Sequence, residues 1–429
     1  MPPRKTYLCT GLLGLMLLPP APAVSAETLE AAWNSAINNN HQLKSVKNDT
    51  DASEQQLRSA QGQRLPELNV GSAYTQYSET PAAQTRINDQ TLQFNTSQSG
   101  SVNAQAIASL PVYTSGRISH NIHAAEASLE ASRHHENATQ LNLKMQVAEA
   151  YVAVLRSESA LQLAQGHIAS LTAHAGDVGN LFEQGMIARN DVLAADVELA
   201  NARQRAVQVN NQLAIARAHY NRLLDRDLND SVKLAHQFPT APNGGISELS
   251  AQALAERPEL AVLSEQVNAL EQQAQSVKAG ALPQVSVNGG YQYQENRYQA
   301  FQGLWMVNAG VQWKLYDGST QHQSDAMKRQ AIALKEQRDD LGSQIALQVK
   351  QAWLDGQETQ QRLAVAGQTI AQAEENMKVT TDRYQQGLST NTDVLKAEEL
   401  RMSAHDNLNN ATYDAILAAL HLRYAVGVL

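Results

Sequence analysis

Two long stretches of the chain contain no proline and place hydrophobic residues every three or four positions. They cover residues 117–184 and 319–386. In the first stretch the repeating apolar positions are Ile118, Ile122, Ala125, Leu129, Leu141, Met145, Ala148, Val152 and Leu155. This is the spacing of a coiled-coil seam, and at 1.5 Å per residue each helix would reach about 100 Å. The pattern therefore predicts two helices far longer than those of an ordinary globular domain.

Each long helix is followed by a glycine, Gly185 or Gly387, in the position where a glycine commonly ends a helix. Helical periodicity then resumes, which predicts a return helix after each turn. Shorter helical stretches lie farther upstream in the chain. The predicted return helices and short helical stretches are 190–225, 392–427, 27–63 and 247–279.

Four other segments alternate apolar and polar residues with a period of two, the pattern of a β-strand with two unlike faces. They are residues 66–78, 100–113, 283–298 and 303–316. In the last segment one face carries Trp305, Val307, Ala309, Val311 and Trp313. A soluble hairpin with one buried face would show the same alternation. Runs of about ten residues with aromatic ends are more typical of transmembrane β-strands.

The same order of elements occurs twice. FEQGMIARNDVL begins at Phe182, and YQQGLSTNTDVL begins at Tyr384, 202 residues later. We therefore predict two homologous halves, residues 27–225 and 246–429, joined by a linker at 226–245. The first half is about fourteen residues longer, and because the extra residues fall in a polar segment, 78–99, they predict a longer loop.

Four strands from one chain cannot close a barrel, and an open sheet edge does not persist in lipid. Several chains must therefore contribute strands to one barrel. A dimer would supply eight strands and a trimer twelve.

The first 26 residues have the layout of a secretory signal peptide. Arg4 and Lys5 precede an apolar run at 7–18, and small residues lead to a predicted cleavage after Ala26. That run is too short to cross a membrane. The only cysteine, Cys9, lies inside this segment, so we expect a mature chain without a thiol, a disulfide or a cysteine metal ligand. No later segment has 18 consecutive apolar residues, so no spanning helix is predicted.

Charge and motifs argue against several classes of function. The formal net charge is −9, whereas nucleic-acid binding needs a basic surface. The motifs of the nucleophile elbow, the zinc proteases and the P-loop do not occur after residue 26. We therefore expect neither an enzyme nor a cofactor. The histidine pairs His120/His123 and His134/His135 have no evident third ligand, which a tetrahedral zinc site requires, so no metal site is predicted.

The chain resembles the TolC-type family of outer-membrane efflux and secretion channels. The resemblance spans essentially all of the chain after residue 26. It rests on the repeat, the Leu-Pro pairs at 65–66 and 282–283, the strand exits VYTSG and LYDGS, and the paired QG…DVL turns. It implies a fold that is mainly α with membrane β: a trimeric 12-stranded β-barrel, four strands per chain, continued by a long periplasmic α-helical barrel. A reduced equatorial belt, resting mainly on the linker, is also expected.

The resemblance further implies a function and partners. The expected function is that of a passive outer-membrane conduit for secreted proteins or toxic small molecules. It would act with a periplasmic adaptor (membrane fusion) protein and an inner-membrane ABC or proton-driven transporter, and its barrel would contact outer-membrane lipid. Specificity for the cargo is expected to lie in the inner-membrane pump.

The two turns are the best candidates for functional sites. By resemblance, Asp393 lines the periplasmic constriction, and Lys396 stands where a second aspartate is usual. From the residues alone, Asp393 also fits a helix capping box with Thr390. Lys396 lies three residues after Asp393 on the same helical face, so we expect it to pair with Asp393 and to weaken a preference for cations.

Two further sets of residues are carried over from the family. A polar network that closes the channel is expected at Asn190, Asp191, Tyr384 and Ser389, and Ser389 replaces an arginine found in some members. The tips that contact the adaptor are expected at Gly185, Met186, Gly387 and Leu388.

Two other classes of protein share part of the pattern. A trimeric coiled-coil surface or adhesive protein also combines long helices with a membrane barrel, but it normally has one C-terminal set of strands. A periplasmic adaptor has a helical hairpin but lacks strands with aromatic ends. Both are weaker interpretations than a channel, because here strand pairs precede the long helices twice.

Overall fold

The computed structural model describes residues 26–429. The predicted signal peptide lies outside the described residues except for Ala26. The first half of the described chain contains α1 (Leu29–Asn39), α2 (His41–Gly62), β1 (Glu67–Gln76), β2 (Ala82–Ile87), β3 (Gln90–Asn95), β4 (Gly100–Tyr113), α3 (Arg117–Glu183) and α4 (Arg189–Leu223). The second contains α5 (Ile246–Glu256), α6 (Pro258–Ala279), β5 (Gln284–Gln294), β6 (Gly303–Gln312), α7 (Thr320–Gln385) and α8 (Asn391–Val426).

The two short helical stretches are each divided in two. Asn40 ends α1 and caps α2, since its side chain accepts hydrogen bonds from the backbone N–H groups of Gln42 and Leu43 at 2.9 and 3.2 Å. In the second half the break falls at Arg257, and Pro258 opens α6. Proline suits this position because the first turn of a helix does not use its N–H.

The prediction of a longer loop at 78–99 is wrong. The extra residues form a separate antiparallel hairpin of β2 and β3. Asn88 and Asp89 connect its strands with φ of 49° and 62°. Two successive residues with positive φ make the tight turn whose twist matches that of paired strands, and Asn and Asp tolerate this conformation.

The other four strands form one antiparallel sheet in the order β1-β4-β5-β6. Its register aligns the alternating patterns, because Val70 pairs with Ala106, Ala106 with Tyr291, and Tyr291 with Trp305. One continuous face of the sheet is therefore apolar. This face is exposed in the chain; the side chain of Trp305 is 82% accessible. Within the described residues, β1 and β6 each have an unpaired edge.

The largest hydrophobic core lies at the middle of α3, where α1, the linker and α8 pack against it. The Tyr151 hydroxyl lies 2.7 Å from the carbonyl oxygens of Glu27 and Ala235, which ties the linker to α3. In the second half, α5 packs against α7 and α8. The linker is therefore not alone beside the middle of the long helices, since the short helices α1 and α5 pack there as well.

The helices α4 and α7 each carry a second apolar stripe that remains exposed. On α4 the stripe is 54% to 70% accessible and consists of Leu193, Val197, Val207 and Ile215. On α7 it is 45% to 63% accessible and consists of Leu347, Leu354, Val365 and Val379. At 3.6 residues per turn the stripe spans about 80° of arc on α4 and about 40° on α7, in each case opposite the buried face of the helix. Each of these helices thus packs one face against the rest of the chain, while the apolar stripe on its opposite face has no packing partner in the described part of the chain.

None of the helices in residues 26–429 is long and apolar enough to span a membrane.

Candidate functional site

The two repeated motifs form the turns that follow α3 and α7. Gly185 and Gly387 have φ of 71° and 72°, a left-handed conformation that favours glycine. The N–H of Met186 donates to the carbonyl of Leu181 at 2.9 Å, and the N–H of Leu388 donates to Arg383 at 2.8 Å. These are the hydrogen bonds of a Schellman motif, which ends a helix and reverses the chain. We call residues 184–190 turn 1 and residues 386–391 turn 2.

The two turns start their return helices differently. In turn 2, the Thr390 side chain accepts from the N–H of Asp393 at 3.2 Å, and the N–H of Thr390 donates to the Asp393 carboxylate at 2.9 Å. This is a complete capping box. In turn 1 the N-cap is Ala188, whose side chain makes no capping hydrogen bond. A side-chain cap contributes about 1 kcal/mol, so the start of α8 is the better stabilised of the two.

The Asp393 carboxylate faces its own helix cap. Its Oδ2 also accepts hydrogen bonds from the hydroxyls of Thr390 at 2.6 Å and Ser389 at 3.1 Å. The hydrogen bonds from Thr390 are the main cause that lowers the pKa of Asp393, and the charge of Lys396 adds a smaller effect in the same direction. Contrary to the expected pairing, no ion pair joins Lys396 to Asp393 in the described part of the chain, because the carboxylate is engaged at the cap.

The two turns are joined through Asn391, a buried side chain at the start of α8. Its Nδ2 donates to the backbone carbonyl of Asp191 at 3.0 Å, and its Oδ1 accepts from Nε2 of His174 at 2.7 Å. The His174 ring in turn packs on the ring of Tyr384, with 5.6 Å between centroids. These contacts hold α3, α4, α7 and α8 together at one end of the molecule.

A small apolar cluster surrounds this junction. Its buried members come one from each of these four helices: Val178, Ala195, Tyr384 and Val394. The Tyr384 hydroxyl is buried and has no hydrogen-bond partner among the described residues. Burial, followed by the charges of Asp191 and Asp177, raises the pKa of Tyr384.

The structure brings only some of the sequence-predicted network residues together. Asp191 and Tyr384 lie at the junction, but Asp191 takes part through its backbone carbonyl. Asn190 is exposed, and Ser389 contacts Asp393 within turn 2. The sequence reasoning missed Asn391 and His174. The sequence offered one signal for Asn391: the second motif has this amide residue where the first motif has Arg189.

The predicted adaptor tips lie at the outer ends of the two turns. Met186 and Leu388 are large hydrophobic residues, and both are exposed. Each directly follows the glycine with positive φ. Each turn therefore exposes one large apolar side chain at the end of its helix.

The histidines of α3 do not assemble a metal site. His120 hydrogen-bonds to Gln272 at 2.9 Å, and the rings of His120 and His123 meet edge-on at 6.4 Å. Across residues 26–429, no three metal-binding side chains come together, a finding that covers His134 and His135 as well.

Comparisons with known proteins agree with this architecture. The family model described as outer membrane efflux protein matches residues 32–224 and 249–428. The outer membrane protein TolC of Vibrio cholerae is 24% identical over 427 residues, covering 95% of this chain and 92% of its own length. The alkaline protease secretion protein AprF of Pseudomonas aeruginosa is 25% identical over 317 residues, covering 71% of this chain and 65% of its own length.

A solved structure has the same fold. The outer membrane protein VceC from Vibrio cholerae superposes with a TM-score of 0.77 at 16% identity, covering 93% of this chain and 96% of that chain.

Proposed function

The chain belongs to the outer membrane efflux protein family, and from this membership and its geometry we propose that three copies form a passive outer-membrane export conduit. The exposed apolar sheet face carries the proposal. A sheet that is apolar on one side and polar on the other suits a wall between lipid and water. The unpaired edges of β1 and β6 would pair with neighbouring copies, which closes the wall into one barrel.

The exposed stripes on α4 and α7 support the same assembly. The α4 stripe of one chain would pack against the α7 stripe of the next chain, so that each buries the other. The apolar faces of neighbouring helices do this in a coiled coil. The sheet edges and the stripes both join unlike surfaces of successive copies. Such head-to-tail contacts form a ring when the rotation closes.

In this trimer the turns form the periplasmic mouth, by which we mean the end of the helical barrel built from turns 1 and 2. Three copies of Asp393 around the axis would attract cations, and three copies of Lys396 would reduce that attraction. The contacts of Asn391 with Asp191 and His174 would keep the mouth closed. Asn190, Asp191, Tyr384 and Ser389 remain the predicted closing network around them.

The conduit would be opened by a periplasmic adaptor that contacts Gly185, Met186, Gly387 and Leu388, and an inner-membrane ABC or proton-driven transporter would supply the energy. The cargo would be secreted proteins or toxic small molecules. An adhesive surface protein fits less well, because each half of the chain has its own strand pair ahead of a long helix.

The assembly is tested by purifying the chain from outer membranes in mild detergent. Native mass spectrometry should give the mass of three chains, and the same sample should show brief ion-conducting openings in a planar lipid bilayer, since the resting mouth is mostly closed. A monomeric chain, or a trimer without conductance, would contradict the proposal. Deleting the gene and assaying drug susceptibility and the culture supernatant would separate small-molecule from protein cargo.

A further inference from the structure

A buried carboxylate on α8, Glu398, lies about two helical turns farther from the end of the molecule than Asn391. Glu398 is only 2% accessible. Its Oε1 lies 2.8 Å from Nδ1 of His167, and its Oε2 accepts from the Ser170 hydroxyl at 3.1 Å, both on α3. Arg401, one turn along α8, donates to both oxygens at 2.7 and 3.0 Å. The buried charge therefore has four polar contacts, two of them with α3 and two with Arg401 of its own helix.

The same cluster extends to α7. Nη1 of Arg401 lies 3.8 Å from Glu374, and Nε2 of His405 lies 2.6 Å from the same carboxylate. Within this cluster, the polar contacts of α8 with α7 are made by partly exposed side chains, whereas those with α3 are made by buried Glu398. We call Glu398, His167, Ser170 and Arg401 the Glu398 cluster.

The place of the cluster along α8 makes it relevant to opening. Asn391 bonds to His174 at the mouth, and seven residues later Glu398 bonds to His167, which lies seven residues before His174. Farther along α8, Asp414 bridges Arg156 of α3 and Arg362 of α7, next to the hydrophobic core at the middle of α3. Between Glu398 and Asp414 lie 16 residues of α8, or about 24 Å of helix. A mouth that opens by moving α8 away from α3 must therefore break the Glu398 cluster, while the contacts at Asp414 can serve as a fixed base.

We propose that Glu398 is a positioning residue for gating, which holds α8 against α3 through His167 and Ser170 and sets the resistance of the mouth to opening. The inference deepens the proposed function and rests on it. Exposing α8 would separate a charged carboxylate from two of its donors, and a charge that loses partners while still partly buried is strongly disfavoured.

The bonded environment keeps Glu398 in its charged form. Burial alone would raise the pKa of Glu398, but the hydrogen bonds from His167 and Arg401 outweigh it and lower the pKa from 4.5 to about 2. The carboxylate is therefore charged at neutral pH, and opening the mouth would have to separate a charge from its partners.

The test compares Glu398→Gln with Glu399→Gln, a matched control that removes the same charge from the adjacent, exposed position. Purified trimers are inserted into planar bilayers at neutral pH, and the fraction of time in the conducting state is measured. We expect Glu398→Gln to raise that fraction about tenfold, the effect of losing a hydrogen bond to a charged group. Glu399→Gln should match the wild type.

His167→Gln, which leaves the bonds between Glu398 and Arg401 in place, provides a second variant if Glu398→Gln does not assemble. It should also raise the conducting fraction, and its effect should not add to that of Glu398→Gln. The inference is overturned if both variants conduct like the wild type, or if they lower only the temperature at which trimers dissociate. A wild-type chain that neither trimerises nor conducts would instead refute the proposed function.

Discussion

Two side chains at the periplasmic mouth show how differently neighbouring polar groups can be held. The Asp393 carboxylate is exposed and is fixed by hydrogen bonds from Ser389 and Thr390 of its own turn. The Tyr384 hydroxyl is buried, and none of the described residues bonds to it. The first group is therefore held at the surface of its own turn, whereas the second contributes through the packing of its ring on His174.

Replacing Tyr384 by phenylalanine should leave the resting channel closed. Removing a buried hydroxyl without a partner should not lower the dissociation temperature of the trimer, since such a group costs about 1–3 kcal/mol. Tyr384→Ala, which removes the ring, should destabilise the end of the helices by about 3–5 kcal/mol and raise the resting conductance. If Tyr384→Phe alone opened the channel, the hydroxyl would be part of the closing network after all.

Replacing Lys396 by aspartate should make the channel more selective for cations. Each trimer would exchange three positive charges for three negative ones beside the Asp393 carboxylates, which concentrates cations at the mouth. The reversal potential in a salt gradient across a planar bilayer measures this change. Lys378→Asp, the same charge change at an exposed site on α7, is the control. An unchanged reversal potential, or an equal shift in the control, would show that Lys396 does not face the ion path.

At the scale of single elements, the sheet depends on close approach of its central strands. Gly289 and Gly290 are neighbours in β5, and neither has a positive φ. An added Cβ at Gly290 would lie 2.1 Å from the carbonyl oxygen of Ala106 in β4, which is backbone and cannot move alone. At Gly289 the nearest atom is Cγ2 of Val307 at 3.5 Å, an ordinary contact.

Gly290→Ala should therefore weaken the sheet, and Gly289→Ala should be tolerated. Overpacking of this kind costs about 1–3 kcal/mol, and the effect is repeated in each copy of the chain. Heating outer-membrane samples in SDS before electrophoresis gives the temperature at which the trimer dissociates. That temperature should fall for Gly290→Ala and stay near the wild type for Gly289→Ala. Equal behaviour of the two variants would mean that β4 and β5 are not packed as described.

At the scale of the whole molecule, the chain leaves unpartnered apolar surface at both its sheet and its helices. The stripes on α4 and α7 face away from the chain's own core, and β1 and β6 end the sheet. A single copy would expose the stripes to water, which is unfavourable by about 25 cal/mol for each Å² of apolar area. Association of copies would bury the stripes and pair the strand edges at once.

Val207→Asp, in the α4 stripe, should shift the chain from trimer towards monomer. A charge placed between apolar helices loses its hydration without gaining a partner. Asn210→Asp introduces the same charge at an exposed site on the flank of the stripe, about 60° away around the helix. Light scattering of purified protein should show dissociation for Val207→Asp only. A trimer that is unaffected by Val207→Asp would mean that α4 does not line the interface between copies.

Features that depend on neighbouring residues could be predicted from the order of amino acids. The seam spacing predicted the long helices, observed with 67 and 66 residues, and the alternation predicted the four strands of the main sheet. The repeated motif placed both turns, because a glycine with positive φ is a local requirement. The β2–β3 hairpin was within reach too, since Asn88-Asp89 is a local turn signal that the interpretation as a loop overlooked.

Which polar residues are buried and hydrogen-bonded depends on contacts between distant segments. Asn391 meets His174 across 217 positions, and Glu398 meets His167 across 231. In the sequence, Glu398 and Glu399 are identical neighbours on one helix, and nothing local distinguishes them. Rotation by 100° around α8 turns one towards α3 and the other towards solvent. The burial of a charge depends on which helix lies opposite, and that is determined by packing between segments far apart in the chain.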